Sequence, residues 1–333
     1  MILLTGGLGY LGSHMAAQII QQGQDVVLVD NLSNSTIDVL ARLFNLTGKT
    51  IPFVQADVRD RASLEQIFSR YPITQVVHFA GSKSVNESIQ QPLDYYDNNV
   101  GGLISLLYAM KGSQVKTLVF SSTAAIYGEP EILPIPESSR QAPTTPYGRS
   151  KQICEQVLQD LYRAEQGWRI AVLRYFNPAG AHPSGIIGEV PNGIPNNLVP
   201  YIAQVARGER PYLQVFGDDY NTVDGTGVRD FIHVQDLIEG HTKALSWLAT
   251  QTQAFEILNL GRGEGISVKQ MLDAFSKTVG RELPFRIMAR REGDSASVYA
   301  DASHAAGLLN WRATKTVDEM AIDTWRFYEN SFL

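Results

Sequence analysis

Tyr147 and Lys151 lie four positions apart in the run Tyr147-Gly148-Arg149-Ser150-Lys151. At the start of a helix that spacing puts a phenol and an ammonium on one face. A free tyrosine, with a pKa of roughly 10, is a poor base at neutral pH, but a neighbouring cation depresses such a group by about 1–3 units. By itself a Tyr-x-x-x-Lys pair is more often a surface pair on a helix. Here it follows Phe120-Ser121-Ser122-Thr123, which closes an apolar run. Thr123 would therefore stand at the carboxyl edge of a sheet, where its hydroxyl can serve a substrate oxygen or Tyr147 itself. A hydroxyl, a phenol and an ammonium in that order suit proton transfer at an alcohol carbon that exchanges a hydride with a carrier.

The carrier has a candidate site near the N-terminus. Gly6-Gly7-Leu8-Gly9-Tyr10-Leu11-Gly12 follows the first apolar run directly and opens an amphipathic stretch. Glycines there let the backbone turn tightly and approach a pyrophosphate, whose charge meets the N–H groups of a helix N-terminus. A Gly-rich turn alone is weak evidence; Asp30, at the end of the second apolar run and about 20 residues on, strengthens it as an acceptor for ribose hydroxyls. Asn31-Leu32-Ser33-Asn34-Ser35-Thr36 offers no Arg or Lys to pair with a 2′-phosphate, so NAD is expected rather than NADP. Asp57, followed by Val58, is placed to reach the adenine, and Phe79-Ala80-Gly81 to pass under the cofactor. Read alone, Asp57 is equally a turn or cap aspartate.

These residues need a scaffold that presents strand ends side by side. The runs Ile2–Leu4, Asp25–Val29, Ile51–Gln55, Gln75–Phe79, Thr117–Phe120 and Arg169–Leu173 read as strands buried on both faces. Between them His14–Gln22, Ala62–Tyr71, Tyr95–Met110 and Gly148–Gln166 carry apolar residues at helical spacing, with Gly23 a left-handed cap. Such alternation predicts an α/β fold, a Rossmann-type doubly wound parallel sheet. After Asn177 the texture changes to loops rich in Gly, Pro and Asn over 177–197 and in Gly and Asp over 217–227. Helices near Gln235–Leu248, Val268–Val279, Ser303–Leu309 and Val317–Glu329, and strands near Phe255–Leu258 and Phe285–Ile287, read as a smaller C-terminal α/β lobe. The expected division is 1–176 for the cofactor domain, with segments returning from the second half, and 177–333 for the substrate lobe.

With 44% hydrophobic residues, 19% charged and a net charge of -6, the 333-residue chain has no general attraction for nucleic acid or an anionic membrane. Its single cysteine, Cys154, excludes an internal disulfide and fits a reducing compartment. No signal-like start and no 18-residue apolar run is present, so a soluble, cytoplasmic protein with a small-molecule partner is expected. None of the six histidines has the paired spacing of a zinc site, and no metal is expected. Cys154, just beyond Lys151, reads as a packed residue.

The ordered set of hydroxyl, Tyr-x-x-x-Lys and Gly-rich loop resembles the extended short-chain dehydrogenase/reductase family. Over essentially its whole length the chain is similar to the nucleotide-sugar 4-epimerases of that family. The similar stretches are Thr5–His14, Asp30-Asn31-Leu32, His78–Lys83, Tyr95–Val100, Arg174–Pro178, Ile194–Leu198, Asp224–Asp230 and Arg290–Asp294. The resemblance implies that Gly6, Gly9, Tyr10, Leu11, Gly12, Asp30, Asn31, Asn34, Ser35, Asp57, Val58, Phe79, Ala80, Gly81, Lys83, Asn98, Tyr147, Lys151 and Phe176 contact NAD. It implies that Thr123, Tyr147 and Lys151 are catalytic, and that Lys83, Thr123, Tyr147, Asn177, Asn197, Leu198, Phe216, Arg229, Arg291, Asp294 and Val298 line the site for a UDP-hexose. Two arginines suit a diphosphate, and amides with a carboxylate suit uracil and ribose; either arginine alone reads equally as a surface salt bridge.

The implied reaction is interconversion of UDP-galactose and UDP-glucose by oxidation at C4, turning of the 4-keto sugar and re-reduction, in a homodimer formed through the helices containing Tyr95–Met110 and Gly148–Gln166. Two departures matter. Thr123 stands where many relatives have serine, and the hydroxyl survives. Val298 stands where a tyrosine closes the sugar pocket in epimerases limited to unacetylated sugars, which would open room for UDP-N-acetyl sugars unless Tyr299 fills it. A 4,6-dehydratase would need acids beside Thr123, where Ala124-Ala125 stands. A uronic-acid epimerase, a decarboxylase and a non-catalytic NAD sensor remain open at this stage.

Overall fold

The apolar run at the N-terminus forms β1 (Ile2–Thr5), which pairs in parallel with β2 (Val26–Asp30), itself paired with β3 (Phe53–Gln55). On its other side β1 pairs with β4 (Gln75–His78), followed by β5 (Thr117–Thr123) and β6 (Arg169–Tyr175), again in parallel. Strand order reverses between β1 and β4, the switch point at which open α/β sheets hold ligands. Helices α1 (Tyr10–Gln21), α2 (Asp38–Thr47), α3 (Arg61–Arg70), α4 (Val85–Gln90), α5 (Pro92–Tyr96), α6 (Gly102–Gly112) and α7 (Pro146–Ala164) link the strands. The computed structural model describes residues 1–195, 197–291 and 293–330.

The chain divides into two compact units that exchange segments: the first comprises 1–128, 140–175 and 238–258, the second 129–139, 176–237 and 259–333. Leu3, Val27, Val76, Leu118 and Ile170 from the strands fill the first core with Leu106 and Leu158 from α6 and α7. A core of that apolar content, buried on both faces of the sheet, is what the uninterrupted apolar runs require. Strand Ala254–Leu260 takes the edge beyond β6 in this sheet rather than a place in the smaller lobe. Its Phe255 and Ile257 pack on the first core, so burial, not sequence order, decides where it joins.

The second unit pairs Phe231–His233 in parallel with Asn177–Ala179, and Leu213–Phe216 in parallel with Phe285–Met288. A third small sheet sets Val228–Arg229 between Ile266–Ser267 and Ser297–Val298. Its core gathers Ile202 of helix Leu198–Ala206, Phe275 of Val268–Val279, and Met320 and Phe327 of Val317–Asn330. Among the described residues no helix is long and apolar enough to cross a membrane.

Candidate active site

The turn from β1 into α1 is built by close backbone approach. Gly6 has φ +66°, and a Cβ on it would sit 2.8 Å from the Ala80 nitrogen; a Cβ on Gly12 would strike the Gly6 carbonyl. Gly9 is the N-cap of α1 and offers no side-chain cap, which leaves the first N–H groups of the helix to an anion. Leu8 N–H donates to Asp30 Oδ2 at 3.0 Å, while Leu32 N–H and Ser35 Oγ donate to Asp30 Oδ1 at 2.9 Å each. The carboxylate is thus fixed at the end of β2, and Oδ2, which accepts from Leu8 alone among the described residues, keeps lone-pair capacity for a ribose hydroxyl. The Cβ-free cradle, the uncapped helix end and the oriented carboxylate fit a dinucleotide.

Asp57 is more engaged than its sequence position indicates. Arg59 donates to it through Nε and Nη2 at 2.9 and 2.8 Å, and Asn31 Nδ2 donates at 3.0 Å. The Arg59 hydrogen bonds hold its carboxyl well below the usual range. Asn31 and Asp57 therefore form one polar ledge after β2 and β3, with Val58 buried behind it. Beyond β4, the loop at 79–83 is tied to a wider π-helical turn, Asp97–Gly101, through which α5 runs on into α6 along the helix expected over Tyr95–Met110. Buried Asn99 accepts from Ser82 N–H at 2.8 Å and donates to Ser82 O and Ser150 Oγ, both at 3.0 Å; Asn98 Nδ2 reaches Ser82 Oγ at 3.2 Å.

Thr145 caps α7 by accepting from Gly148 N–H at 3.2 Å, and Pro146 occupies the first turn, where its missing N–H costs nothing. Gly148 has no Cβ to fend off Ala125: one would lie 2.9 Å from the Ala125 carbonyl. That contact lets the helix start settle against the turn after β5, and Tyr147 hydrogen-bonds the Thr123 side chain there. One turn on, buried Lys151 donates to the Ser121 carbonyl at 2.9 Å and lies 4.9 Å over the Phe120 ring. Thr123, Tyr147 and Lys151 are thus gathered at one end of β5.

Electrostatics divide the labour within this cluster. Burial pushes the Tyr147 phenol above its ordinary pKa, while the Thr123 hydrogen bond and the Lys83 charge pull it down. Burial also pushes the Lys151 ammonium down, against the nearby Cys154 and Glu155. Glu155 is committed elsewhere: it takes Arg174 Nε at 3.1 Å and Nη2 at 2.7 Å, and Ser122 Oγ. Cys154 is buried, its thiol pushed up to about 11 and directed at the Asn99 carbonyl at 3.4 Å, which suits packing rather than attack. Sequence reasoning gave no role to Ser121 or Asn99; both lie in stretches already singled out, but a backbone acceptor and a buried amide leave no local pattern to read.

Within the second unit, Arg229 donates Nη1 to the carbonyls of Val228 and Ser295 at 2.9 Å each, and its Nη2 lies 3.6 Å from Asp294. Arg291 lies 3.7 Å over the Phe216 ring. Asn197 donates to Glu189 at 3.1 Å as helix Leu198–Ala206 begins, and Asn177 N–H donates to the Asp230 carbonyl at 2.9 Å. Val298 pairs with Arg229 in a parallel register, so the two side chains share a sheet face. Tyr299 turns to the opposite face: a Cβ on Gly265 would meet its ring at 3.3 Å. Phe176, next to Asn177, is buried. Asn196 and Glu292, in two of the singled-out stretches, lie outside the described residues.

Comparison with known proteins agrees along the whole chain. A curated UDP-glucose 4-epimerase of Yersinia pestis is 51% identical over 327 residues, covering 98% of this chain and 96% of that protein. A UDP-glucose 4-epimerase of Stenotrophomonas maltophila, solved with NAD and formylated UDP-arabinopyranose, superposes with a TM-score of 0.97 at 49% identity, covering 99% of this chain and 98% of that one. A Bifidobacterium longum UDP-glucose 4-epimerase, solved with NAD+ and UDP, gives a TM-score of 0.95 at 45% identity, covering 99% and 98%. With residues 2–261 matching its family model as well, the chain belongs to the NAD-dependent epimerase/dehydratase family.

Proposed function

We propose that the chain interconverts UDP-galactose and UDP-glucose, with NAD as a resident cofactor. The observation that carries this reading is the gathering of Thr123, Tyr147 and Lys151 in the same unit as the dinucleotide cradle, in a chain about half identical over its length to UDP-glucose 4-epimerases. Gly6, Gly9, Tyr10, Leu11, Gly12, Asp30, Asn31, Asn34, Ser35 and Asp57 hold the adenosine and pyrophosphate; Phe79, Ala80, Gly81, Lys83, Asn98 and Phe176 line the remainder. When bound, NAD takes up and gives back the hydrogen on C4.

The acid and base is Tyr147. As phenolate it takes the proton of the sugar 4-hydroxyl, with Thr123 orienting the oxygen, and it returns the proton after the 4-keto sugar has presented its other face. Burial raises the phenol while the Thr123 hydrogen bond and the Lys83 charge lower it; Lys151, one turn on, is assigned to assist in bringing it into its working range. Arg229 and Arg291 anchor the diphosphate, and Asn177, Asn197, Leu198, Phe216 and Asp294 hold the nucleoside, so the sugar alone is free to turn. Since Thr123 is followed by Ala124-Ala125, no acid stands there for the elimination step of a dehydratase. The small side chain of Val298, on the Arg229 face, supports the reading that UDP-N-acetylglucosamine and UDP-N-acetylgalactosamine are accepted too.

The protein works in the cytoplasm as a homodimer. Ile89 on α4, Leu93 on α5 and Ile104 and Tyr108 on α6 are 60%, 80%, 38% and 53% exposed, apolar side chains that a second copy could cover. The reading is tested by incubating purified protein with UDP-galactose and no added cofactor. UDP-glucose formed without net NADH is the expected result; stoichiometric NADH with no epimer would overturn it.

A further inference from the structure

Asp230 takes no part in the chemistry just described, yet three separate stretches of the second unit close on it. Its carbonyl accepts from Asn177 N–H at 2.9 Å, and its own N–H donates to the Val298 carbonyl at 3.0 Å. Its carboxylate accepts from Arg262 N–H at 2.8 Å on Oδ1, and from Gly263 and Ala300 N–H at 3.0 and 3.1 Å on Oδ2. The side chain is wholly buried. Arg229 precedes it in the chain, and Val298 and Ala300 bracket Tyr299.

We propose that Asp230 is the positioning residue that fixes Asn177, Arg229 and Val298 relative to one another, and so sets UDP-sugar affinity and the width of the sugar pocket without touching substrate. The proposal rests on the UDP-hexose reading above. Three of the residues assigned to substrate are bonded to Asp230 or adjacent to it, and none of the three is fixed by one long element. Strands Val228–Arg229 and Ser297–Val298 have two residues each, and Asn177–Ala179 has three. Ladders that short hold register weakly; the carboxylate, by tying residue 230 to Arg262, Gly263 and Ala300, fixes the backbone to which Asn177 and Val298 are bonded.

Only a carboxylate of this length meets the requirement. Both oxygens face N–H donors, so an amide would aim its NH2 at a donor in either orientation. Glutamate adds a methylene where none fits, since a Cβ on Gly261 would already strike Asp230 Oδ2. Burial pushes the carboxyl up and the three backbone N–H groups pull it down; the ionised form accepts all three bonds.

The test compares wild type with Asp230→Asn and Gly261→Ala, the latter displacing the carboxylate without removing an atom of it. Each holoenzyme is measured for epimerisation of UDP-galactose, for UDP affinity by calorimetry and for NAD released on acid denaturation. The expected result is a KM and a UDP dissociation constant raised about tenfold or more, kcat within about threefold, and NAD content unchanged, the pattern of lost anchoring rather than lost chemistry. An unchanged KM in a folded variant overturns the proposal, as does a fall in kcat alone. Should neither variant fold, hydrogen exchange of the wild type decides. UDP is expected to slow exchange in peptides containing Asn177, Arg262–Gly263 and Ala300 together; slowing at Asn177 alone overturns the proposal. Inactivity of the wild type on UDP-galactose would instead count against the function itself.

Discussion

Lys151 and Arg229 are both cations that burial drives below their ordinary pKa, one in each unit, and their surroundings differ in kind. Among the described residues Lys151 donates to one carbonyl, that of Ser121, and lies over the face of Phe120; the nearby carboxylate, Glu155, is taken by Arg174. Arg229 has two carbonyls and the Asp294 carboxylate. A cation left poorly neutralised in dry surroundings exerts a strong field on its neighbours, which is what a phenol needs to act as a base. A cation held through one nitrogen by fixed acceptors keeps one orientation while its Nε and Nη2 groups remain donors, which is what anchoring a diphosphate needs. On the proposed assignment the same physics, a partly desolvated positive charge, serves reactivity in one unit and placement in the other.

The comparison breaks most visibly at Tyr147. Tyr147→Phe keeps the ring and the cradle but removes the exchangeable proton, and general acid–base catalysis contributes about 10²–10⁴-fold. We expect kcat to fall by about that factor with NAD content unchanged, measured by coupled assay and by cofactor release. Near-normal epimerisation by this variant would remove Tyr147 from the chemistry.

Lys151→Met probes the field itself. Turnover should fall by about 10²-fold, at the low end of that range because the phenol remains. Stability should move the other way. The Lys151 pKa is lowered in the folded NAD-free protein, so the unfolded chain binds more protons and wild-type stability rises with pH through that lowered value up to the ordinary one. Below the lowered value the buried charge is a liability that methionine lacks. Thermal unfolding of the NAD-free proteins should therefore show a higher midpoint for the variant at neutral pH, and a gap that narrows as pH rises. A variant less stable than wild type at every pH would mean that the Ser121 and Phe120 contacts outweigh the burial cost.

Arg229→Ala probes the anchoring cation. A hydrogen bond to a charged group is worth about 1.5–3 kcal/mol, or roughly 10- to 100-fold in binding. The loss should fall on KM for UDP-galactose, with kcat changed less, in contrast to the two preceding variants. A fall confined to kcat would erase the distinction between the units.

How much of this was legible in the sequence depends on the reach of the interactions. The cradle, Asp30 and the Tyr147–Lys151 pair rest on contacts within a turn or one strand–helix–strand step, and runs such as Val26–Asp30 can be no other element once buried on both faces. The doubly wound sheet follows from their alternation. Strand Ala254–Leu260 was legible as a strand, but its neighbour, β6, is set by which apolar edge lies open. Helix Leu198–Ala206 was hidden because Pro200 and the Gly- and Pro-rich stretch before it read as loop; the proline sits in the first turn, where it is tolerated. Asp230 was quoted in a motif with no role assigned, since its carboxylate partners lie 32 to 70 residues away and are backbone groups, which no side-chain pattern marks. Asp57 shows the converse: its position suited a ligand contact, while the structure gives it Arg59, two residues on.

The smallest expected effect separates sugar discrimination from both functions of charge. Val298 shares its face with Arg229, whereas Tyr299 packs toward Gly265 on the other, so a ring introduced at 298 would project where Arg229 projects. Val298→Tyr adds bulk without adding or removing a charge. If the room beside the sugar 2-position is what admits an acetamido group, the variant should lose turnover of UDP-N-acetylglucosamine by about tenfold or more while UDP-galactose turnover changes by less than about threefold. The ratio of the two kcat/KM values is the quantity to measure, because a general disturbance of the Val228–Arg229 strand lowers both and leaves the ratio alone. An unchanged ratio would mean that residue 298 does not bound the pocket. A wild type inactive on the acetylated sugar would mean that some other side chain closes it already.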